Sequence, residues 1–93
     1  MKAIYKDQII AESNNTIEVD GYRYFPKSSI KEEFLEESEH NSICPWKGEA
    51  SYYHVKANGD MSKNAAWEYP NPKGKASFLE GYIGFWKDIK IER

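Results

Sequence analysis

The sequence predicts a mainly β domain in which neighbouring strands run antiparallel. Short segments alternate apolar and polar residues, which is the pattern of a half-buried strand. Between them lie two-residue turn signals such as Asp20-Gly21 and Asn58-Gly59, in which glycine supplies the positive φ that a tight hairpin needs. The length of 93 residues fits a single domain, residues 1–93, with a thin core.

The first quarter of the chain predicts a meander of four short strands. Each strand is a short apolar segment, and polar or glycine-containing turns separate consecutive segments. The four segments cover residues 3–5, 9–11, 16–19 and 22–25. Pro26 closes the last of them, since proline lacks the N–H group that a strand ladder needs.

The middle of the chain contains weaker signals. Ser29 and Glu32 have the spacing of a helical capping box, which favours one helical turn near 28–33. We expect an extended piece to follow over 34–38. The next ten residues, 39–48, contain Asn, Ser, Pro and Gly, and this composition predicts a loop.

A hairpin and one further aromatic strand are predicted in the second half. Residues 50–56 and 64–69 flank Asn58-Gly59, so we expect them to pair antiparallel. A helical turn near 76–80 then precedes a strand over 81–87. Strand alternation assigns side chains to shared faces. The three sets are Ala50, Tyr52 and His54; Ala65, Trp67 and Tyr69; and Tyr82, Gly84 and Trp86.

Large rings must fill much of a thin core. The chain has three tryptophans, seven tyrosines and four phenylalanines, and each buried ring removes about 150–250 Å² from water. We therefore expect five rings to be mostly buried. They are Tyr24, Phe25, Tyr52, Trp67 and Phe85.

Composition argues against several classes of function. A net charge of −2 gives no basic face of the kind that binds nucleic acid, so no nucleic-acid partner is expected. The glutamates between residues 32 and 39 predict a solvated face. No apolar run approaches the ~20 residues of a membrane span, and the N-terminus does not resemble a signal peptide. We expect a cytoplasmic monomer with no membrane partner.

Cys44 is the single cysteine of the chain, so an intramolecular disulfide is impossible. No Cys-x-x-Cys pair is present to hold a structural zinc ion. Cys44, His40 and His54 are not related by the spacing of a metal site. We expect neither a metal ion nor a cofactor.

Four blocks of the sequence carry a family resemblance. Residues 44–53 read Cys-Pro-Trp-Lys-Gly-Glu-Ala-Ser-Tyr-Tyr. This block resembles the Cys-Pro-aromatic-Lys-Gly-x-Ala-x-Tyr signature of the family catalogued as domain of unknown function 427. The other blocks are Tyr24-Phe25-Pro26, residues 65–72 (Ala-Ala-Trp-Glu-Tyr-Pro-Asn-Pro) and residues 81–86 (Gly-Tyr-Ile-Gly-Phe-Trp). They stand in the family's order and cover nearly the whole chain.

The resemblance implies a small antiparallel two-sheet domain of the tent-like kind, with one or two short helical turns. Such domains are similar in outline to methionine sulfoxide reductase B and to the ligand-binding domain of cereblon. Those proteins commonly carry a four-cysteine zinc site, which has no counterpart in this chain. Some catalogues also label the family as nucleotidyltransferases, but the paired carboxylates that would hold two metal ions for that chemistry are missing here.

The aromatic blocks and the adjoining Lys47 predict a binding site for an unknown small molecule. Ligand pockets are mostly apolar with a few placed polar groups, and a lysine in a turn offers a point charge to an anionic group. Gly48 beside it suggests a positive φ or a close backbone approach. The candidate ligand-binding residues are Cys44, Trp46, Lys47, Tyr52, Trp67, Tyr69 and Trp86. Of the three tryptophans, Trp46, in a polar loop, is the one we expect to be exposed.

Two other functions remain open at the level of sequence. A small enzyme would use Cys44 as its nucleophile, with His54 or Lys47 assisting, provided that the fold brings these groups together. A protein–protein interaction module would present the Trp and Tyr side chains on a flat surface. Glu68 is expected to be an ordinary surface acid, or, if its face is buried, to pair with Lys47 or Arg23.

Overall fold

Nine β-strands and three short 3₁₀ segments make up the computed structural model, which describes residues 1–93. The strands are β1 (Lys2–Tyr5), β2 (Gln8–Glu12), β3 (Ile17–Val19), β4 (Tyr22–Pro26), β5 (Leu35–Cys44), β6 (Gly48–Ala57), β7 (Asp60–Glu68), β8 (Tyr82–Phe85) and β9 (Lys90–Glu92). The 3₁₀ segments are Lys27–Ser29, Glu32–Phe34 and Gly74–Leu79.

The strands form two antiparallel sheets. The small sheet has the order β2-β1-β9, and the large sheet has the order β3-β4-β8-β7-β6-β5. Every pair of neighbouring strands is antiparallel. The prediction of a mainly β, two-sheet antiparallel domain with only short helical turns is therefore confirmed.

Three tight hairpins have two central residues at positive φ. The φ values are 50° and 64° at Lys6 and Asp7, 54° and 85° at Asp20 and Gly21, and 51° and 81° at Asn58 and Gly59. Positive φ at both positions is the geometry whose twist matches that of the flanking strands. The hairpin turns predicted at Asp20-Gly21 and Asn58-Gly59 are confirmed, including the pairing of β6 with β7.

One face of the large sheet packs against the small sheet, and we call it the core face. Phe25 of β4, Val55 of β6 and Phe85 of β8 lie on it, and all three are buried. They share a hydrophobic cluster with Ala3 of β1 and Ile10 of β2. The core therefore lies between the two sheets.

The opposite face of the large sheet has a different cover, and we call it the pocket face. Its buried cluster contains Tyr24, Trp67 and Tyr69. Ala76 and Leu79, both from the 3₁₀ segment Gly74–Leu79, pack into the same cluster. A short connecting segment thus covers part of this face, in place of a second sheet.

The expected loop over residues 39–48 is wrong. β5 continues through Cys44, and a turn occupies only residues 45–47. β5 is an edge strand with a single neighbour, β6. Polar side chains are tolerated there because one edge and much of the strand face water, and its pairing is interrupted between Glu37 and Asn41. The turn-forming residues of this segment therefore predicted a loop where most of the chain forms a strand.

A strand irregularity in β7 also changes one predicted face. Asn64 has a φ of 55°, and the pairing of β6 with β7 shifts beside it. Three residues of β7, 63–65, lie between the paired Ser62 and Ala66, opposite the single residue His54 of β6, so strict alternation is broken there. Ala65 therefore belongs to the core cluster, whereas Trp67 and Tyr69 lie on the pocket face.

The remaining elements differ from expectation in their bounds. The helical turn expected near 28–33 is two 3₁₀ segments, and Ile30 between them forms a bridge with Ala11. The strand expected over 81–87 is limited to β8. Four of the five rings expected to be buried are so, and Tyr52 is half-buried.

Candidate functional site

A line of four directly opposed residues crosses the pocket face. Tyr52 of β6 lies opposite Trp67 of β7, Trp67 lies opposite Gly84 of β8, and Gly84 lies opposite Tyr24 of β4. Directly opposed residues on paired strands point to the same face. Three rings from three strands therefore meet around one glycine.

Gly84 gives these rings the room to close over the sheet. A Cβ atom at this position would lie 2.7 Å from Cζ2 of Trp67 and 3.0 Å from Cε2 of Tyr24. The first distance is shorter than carbon atoms tolerate, and the second is tighter than most carbon contacts. With no side chain at Gly84, Trp67 Nε1 donates a hydrogen bond of 3.2 Å to the Tyr24 hydroxyl. Gly84 is thus the floor of the site.

Trp67 stands at the centre of the ring network. Its ring centroid lies 5.2 Å from that of Tyr22, 5.7 Å from that of Tyr24 and 5.9 Å from that of Trp86, all edge to face. Aromatic pairs prefer this arrangement. The indole N–H of Trp86 donates to the Asn64 carbonyl at 2.6 Å. Both indole donors are therefore satisfied inside the protein.

These rings line a partly open cavity of about 150 Å³, which we call the aromatic pocket. Its lining consists of six aromatic side chains and one lysine. They are Tyr22, Tyr24, Lys47, Tyr52, Trp67, Tyr69 and Trp86. A dry protein cavity of about 150 Å³ is known to hold one benzene molecule. The aromatic pocket therefore has room for about one six-membered ring.

Lys47 is the charged member of the wall, and only 5% of it is exposed. Its Nζ atom lies 2.8 Å from Oδ2 of Asp20. The same ammonium lies 5.0 Å from the centroid of the Trp46 ring and 5.9 Å from that of Tyr69. Contacts of this kind between a cation and ring faces are attractive. The ammonium is therefore held by one carboxylate and two rings.

The backbone around Lys47 is fixed by the segment after β7. The Lys47 carbonyl accepts a hydrogen bond of 2.9 Å from the Lys73 N–H, and Lys73 Nζ donates to the Pro45 carbonyl at 2.9 Å. Gly48 has a φ of 117°, and a Cβ atom there would lie 3.3 Å from the Asn71 carbonyl oxygen. The close approach predicted for Gly48 is confirmed, and it places Lys47 on the pocket wall.

Two phenols of the pocket are held in their neutral form. Burial raises the pKa of Tyr24 above its usual value of 10.0. Burial also raises the pKa of Tyr69, and the neighbouring Tyr24 adds to the rise, while the Lys47 ammonium opposes it. Loss of the proton is disfavoured because the phenolate is poorly solvated inside the protein. Near neutral pH Tyr24 and Tyr69 thus present hydroxyl groups to the pocket.

The structure brings together most of the residues predicted for the site. Lys47, Tyr52, Trp67, Tyr69 and Trp86 line the aromatic pocket. Trp46 stands outside it, 43% exposed and in contact with the Lys47 ammonium. Cys44 is half-buried, packs against the cluster that contains Tyr24 and Trp67, and does not line the pocket.

Sequence reasoning missed Tyr22 and Tyr24 as lining residues. The two share one face of β4, and β4 enters the site because it pairs with β8. That pairing joins strands that are nearly 60 residues apart in the chain, and no local pattern indicates it. The available signal was the alternation of two tyrosines directly after the turn at Asp20-Gly21.

The arrangement does not unite Cys44 with His54. Cys44 ends β5 opposite Gly48, and His54 lies six residues further along β6. At about 3.3 Å per residue this separation is roughly 20 Å. His54 Nδ1 instead accepts a hydrogen bond of 3.0 Å from the Asn64 N–H at the irregularity of β7. His54 therefore has a structural role there and is not positioned as a base for Cys44.

Glu68 is neither an exposed acid nor a partner of Lys47 or Arg23. Its side chain is 15% exposed, and it accepts hydrogen bonds from the Tyr53 hydroxyl at 2.6 Å and from Lys27 Nζ at 3.2 Å. Burial raises the pKa of Tyr53, and the Glu68 carboxylate raises it further. Arg23 pairs with Glu18 at 3.0 Å. Glu68 points away from the pocket face, and its partners were mispredicted because they are distant in sequence.

Two further observations concern metal binding and membrane spanning. No group of three or more His, Cys, Asp or Glu side chains is arranged to hold a metal ion. None of the helical segments is long and apolar enough to cross a membrane.

Comparison with known proteins identifies one family. The family model described as "Domain of unknown function (DUF427)" matches residues 1–93, the whole of the chain. No curated protein matches.

Proposed function

Since the chain belongs to the DUF427 family, whose description names no function, we propose on the basis of its own geometry that it is a small-ligand-binding domain. The ligand is a flat molecule or group held in the aromatic pocket, with Lys47 as its polar anchor. The observation that carries this proposal is a nearly buried ammonium in the wall of a cavity otherwise lined by aromatic rings. Such a mainly apolar wall with one placed charge is typical of ligand sites.

The size of the pocket limits what it holds. With about 150 Å³ available, it accepts one six-membered ring and leaves the rest of a larger ligand outside. The walls are ring faces and edges from β4, β6 and β7 and from the residues that follow β7 and β8. Flat groups fit such walls because aromatic contacts add about 0.5–1.5 kcal/mol beyond simple burial.

The polar groups available to a ligand are few. The indole N–H of Trp67 is bonded to Tyr24, and that of Trp86 is bonded to the Asn64 carbonyl. Specific polar recognition therefore falls to the Lys47 ammonium and to the tyrosine hydroxyls. These groups favour a ligand with an oxygen acceptor at its edge.

The two rival functions are less well supported. An enzyme using Cys44 has neither proposed assistant free to activate the thiol, because His54 lies far along β6 and Lys47 is paired with Asp20. An interaction module would gather exposed rings on one flat surface. Here the central rings line a concavity, and Trp46 and Phe78, the more exposed aromatic residues, lie outside it.

A fragment titration followed by NMR tests the proposal. Single-ring probes such as phenol, benzamide and benzoate are added to ¹⁵N-labelled protein. We expect saturable shifts of the indole N–H signals of Trp67 and Trp86. The amide signal of Gly59, at the tip of the β6–β7 hairpin, should not shift, because Gly59 lies away from the pocket.

Two matched variants test whether these chemical-shift changes arise from binding in the aromatic pocket. Tyr22→Ala removes a wall ring that is 39% exposed, and it should weaken probe binding by about three- to tenfold, the range of one lost aromatic contact. Phe78→Ala removes a comparably exposed ring outside the pocket and should leave binding unchanged. Equal effects of the two variants, or no saturable shift with any probe, would contradict the proposed function.

A further inference from the structure

We propose that the ligand of the aromatic pocket carries a carboxylate, and that this carboxylate replaces Asp20 at the Lys47 ammonium. The inference rests on the proposed function and specifies the ligand class. Asp20 then acts as a tethered competitor, which occupies the anion position until a ligand displaces it. The geometry of the Lys47–Asp20 pair leads to this assignment.

The two partners of that pair are unequally buried. The Lys47 side chain is 6% exposed, whereas that of Asp20 is 59% exposed. A buried ammonium needs an anionic or strongly polar partner, because it has lost most of its water. An exposed carboxylate needs none, because water solvates it. Asp20 can therefore leave at small cost, while Lys47 requires a replacement when it does.

The position of Asp20 makes such an exchange feasible. Asp20 lies in the two-residue turn between β3 and β4, and β3 is a three-residue strand at the edge of the large sheet. Tyr22, which lines the pocket, follows this turn. The competitor and one wall of the pocket are thus carried by the same hairpin. Movement of the Asp20 side chain requires no change in the rest of the sheet.

Ligands of other charge fit this site less well. A cationic group would be attracted by the rings but repelled by the ammonium in their midst. A neutral group would leave the Lys47–Asp20 pair intact and gain only the ring contacts. A ligand carboxylate makes the ring contacts and also pairs with the Lys47 ammonium. It takes the position of Asp20 Oδ2, which lies 2.8 Å from Lys47 Nζ. The lining of the aromatic pocket therefore favours a flat ligand that carries a carboxylate at its edge.

The test compares benzoate with benzamide, which has nearly the same shape and no charge. Affinities are measured by NMR titration at fixed ionic strength for the wild type and for Asp20→Asn. Asparagine keeps the size of Asp20 and tolerates its φ of 54°. We expect Asp20→Asn to bind benzoate about three- to fivefold more tightly, as expected when one partly exposed competing ion pair is removed. Its affinity for benzamide should stay within twofold of the wild type, since only an anion competes with Asp20.

Two control variants isolate the Lys47–Asp20 pair. Glu18→Gln removes a carboxylate from the same hairpin that pairs with Arg23 and not with Lys47, so it should leave the affinity for benzoate unchanged. Lys47→Met keeps an unbranched stem without the charge and should abolish the preference for benzoate. Circular dichroism verifies that each variant is folded.

The outcomes separate this inference from the proposed function. If the wild type binds benzamide as tightly as benzoate, or if Asp20→Asn does not tighten benzoate binding, the carboxylate assignment is wrong while the pocket remains a binding site. If neither probe shifts the indole signals in any variant, the proposed function fails as well.

Discussion

The two faces of the large sheet are made by the same strands but are completed in different ways. The core face is covered by a second sheet, and its cluster contains mostly aliphatic side chains, alanines and two phenylalanines. The pocket face is covered in part by one 3₁₀ segment, and tyrosine and tryptophan dominate it. Alternation along a strand decides which side chains share a face. The element that covers a face decides whether its side chains form part of the hydrophobic core or line a candidate ligand site.

Polar groups are handled differently on the two faces. The rings of the core cluster have no polar atoms to satisfy, apart from those of Tyr5, Tyr53 and Trp86. On the pocket face the buried Trp67 and Tyr24 bond to each other, and the ammonium of Lys47 pairs with Asp20. No buried side-chain nitrogen or oxygen lacks a partner. The pocket face therefore buries aromatic rings and also holds, at its rim, polar groups whose partners a ligand can replace.

The largest effect is expected from the core face. Phe25 is fully buried, and its ring lies 5.6 Å from that of Phe85. Phe25→Ala should lower the free energy of unfolding by about 3–5 kcal/mol, because it removes a ring and leaves a cavity. Urea denaturation measures the change. Ile43→Ala, at a side chain that is 77% exposed, should stay within about 0.5 kcal/mol of the wild type. Similar losses for both variants would show that the core is not where the structure places it.

A smaller effect is expected at the floor of the pocket. Gly84→Ala places a methyl group 2.7 Å from the Trp67 ring, so Trp67 or Tyr24 must shift. We expect a loss of about 1–3 kcal/mol in the free energy of unfolding, as is usual for overpacking, together with loss of the fragment-induced indole shifts. Gly74→Ala is the matched control, since no atom lies within 4 Å of the position that its methyl group would take and its φ is not positive. Unchanged stability and binding in Gly84→Ala would contradict the closed ring arrangement.

The smallest effect at neutral pH is expected from a phenol of the pocket, and it grows in alkali. The pKa of Tyr69 is raised in the folded state, so the unfolded chain loses this proton first. Stability from this group is complete below the unfolded pKa of about 10 and declines as pH rises above it. Tyr69→Phe should therefore flatten the alkaline decline in the free energy of unfolding, measured by urea denaturation between pH 8 and 11. An equally steep decline in the variant would contradict the buried, neutral state of Tyr69.

Local patterns were sufficient for the hairpins. The dipeptides Asp20-Gly21 and Asn58-Gly59 indicated two turns, because Asp, Asn and Gly adopt positive φ more readily than other residues. Local composition was misleading over 39–48, where polar residues occupy an edge strand. The difference arises because a turn is defined by a few neighbouring residues, whereas an edge strand is defined by its single partner.

The pocket could be predicted only in part for the same reason. Tyr52 and Trp67 meet through a hairpin that the sequence indicates, so their shared position on one face followed from alternation. Tyr24 reaches them through the pairing of β4 with β8. Asp20 reaches Lys47 across 27 positions of sequence. Neither contact has a local signal, so the additional wall and the anion partner emerge only from the folded chain.

The pairing of β1 with β9 has a consequence for the order of folding. Lys2 lies opposite Glu92, so the small sheet joins strands from nearly opposite ends of the chain. Bringing such distant segments together is entropically slow, whereas the β6–β7 hairpin needs only its own turn. We expect the hairpin to form early and the small sheet to be completed late. During that interval Phe25 and its neighbours on the core face have no cover, so the risk of aggregation is greatest on the core face before the two ends of the chain pair.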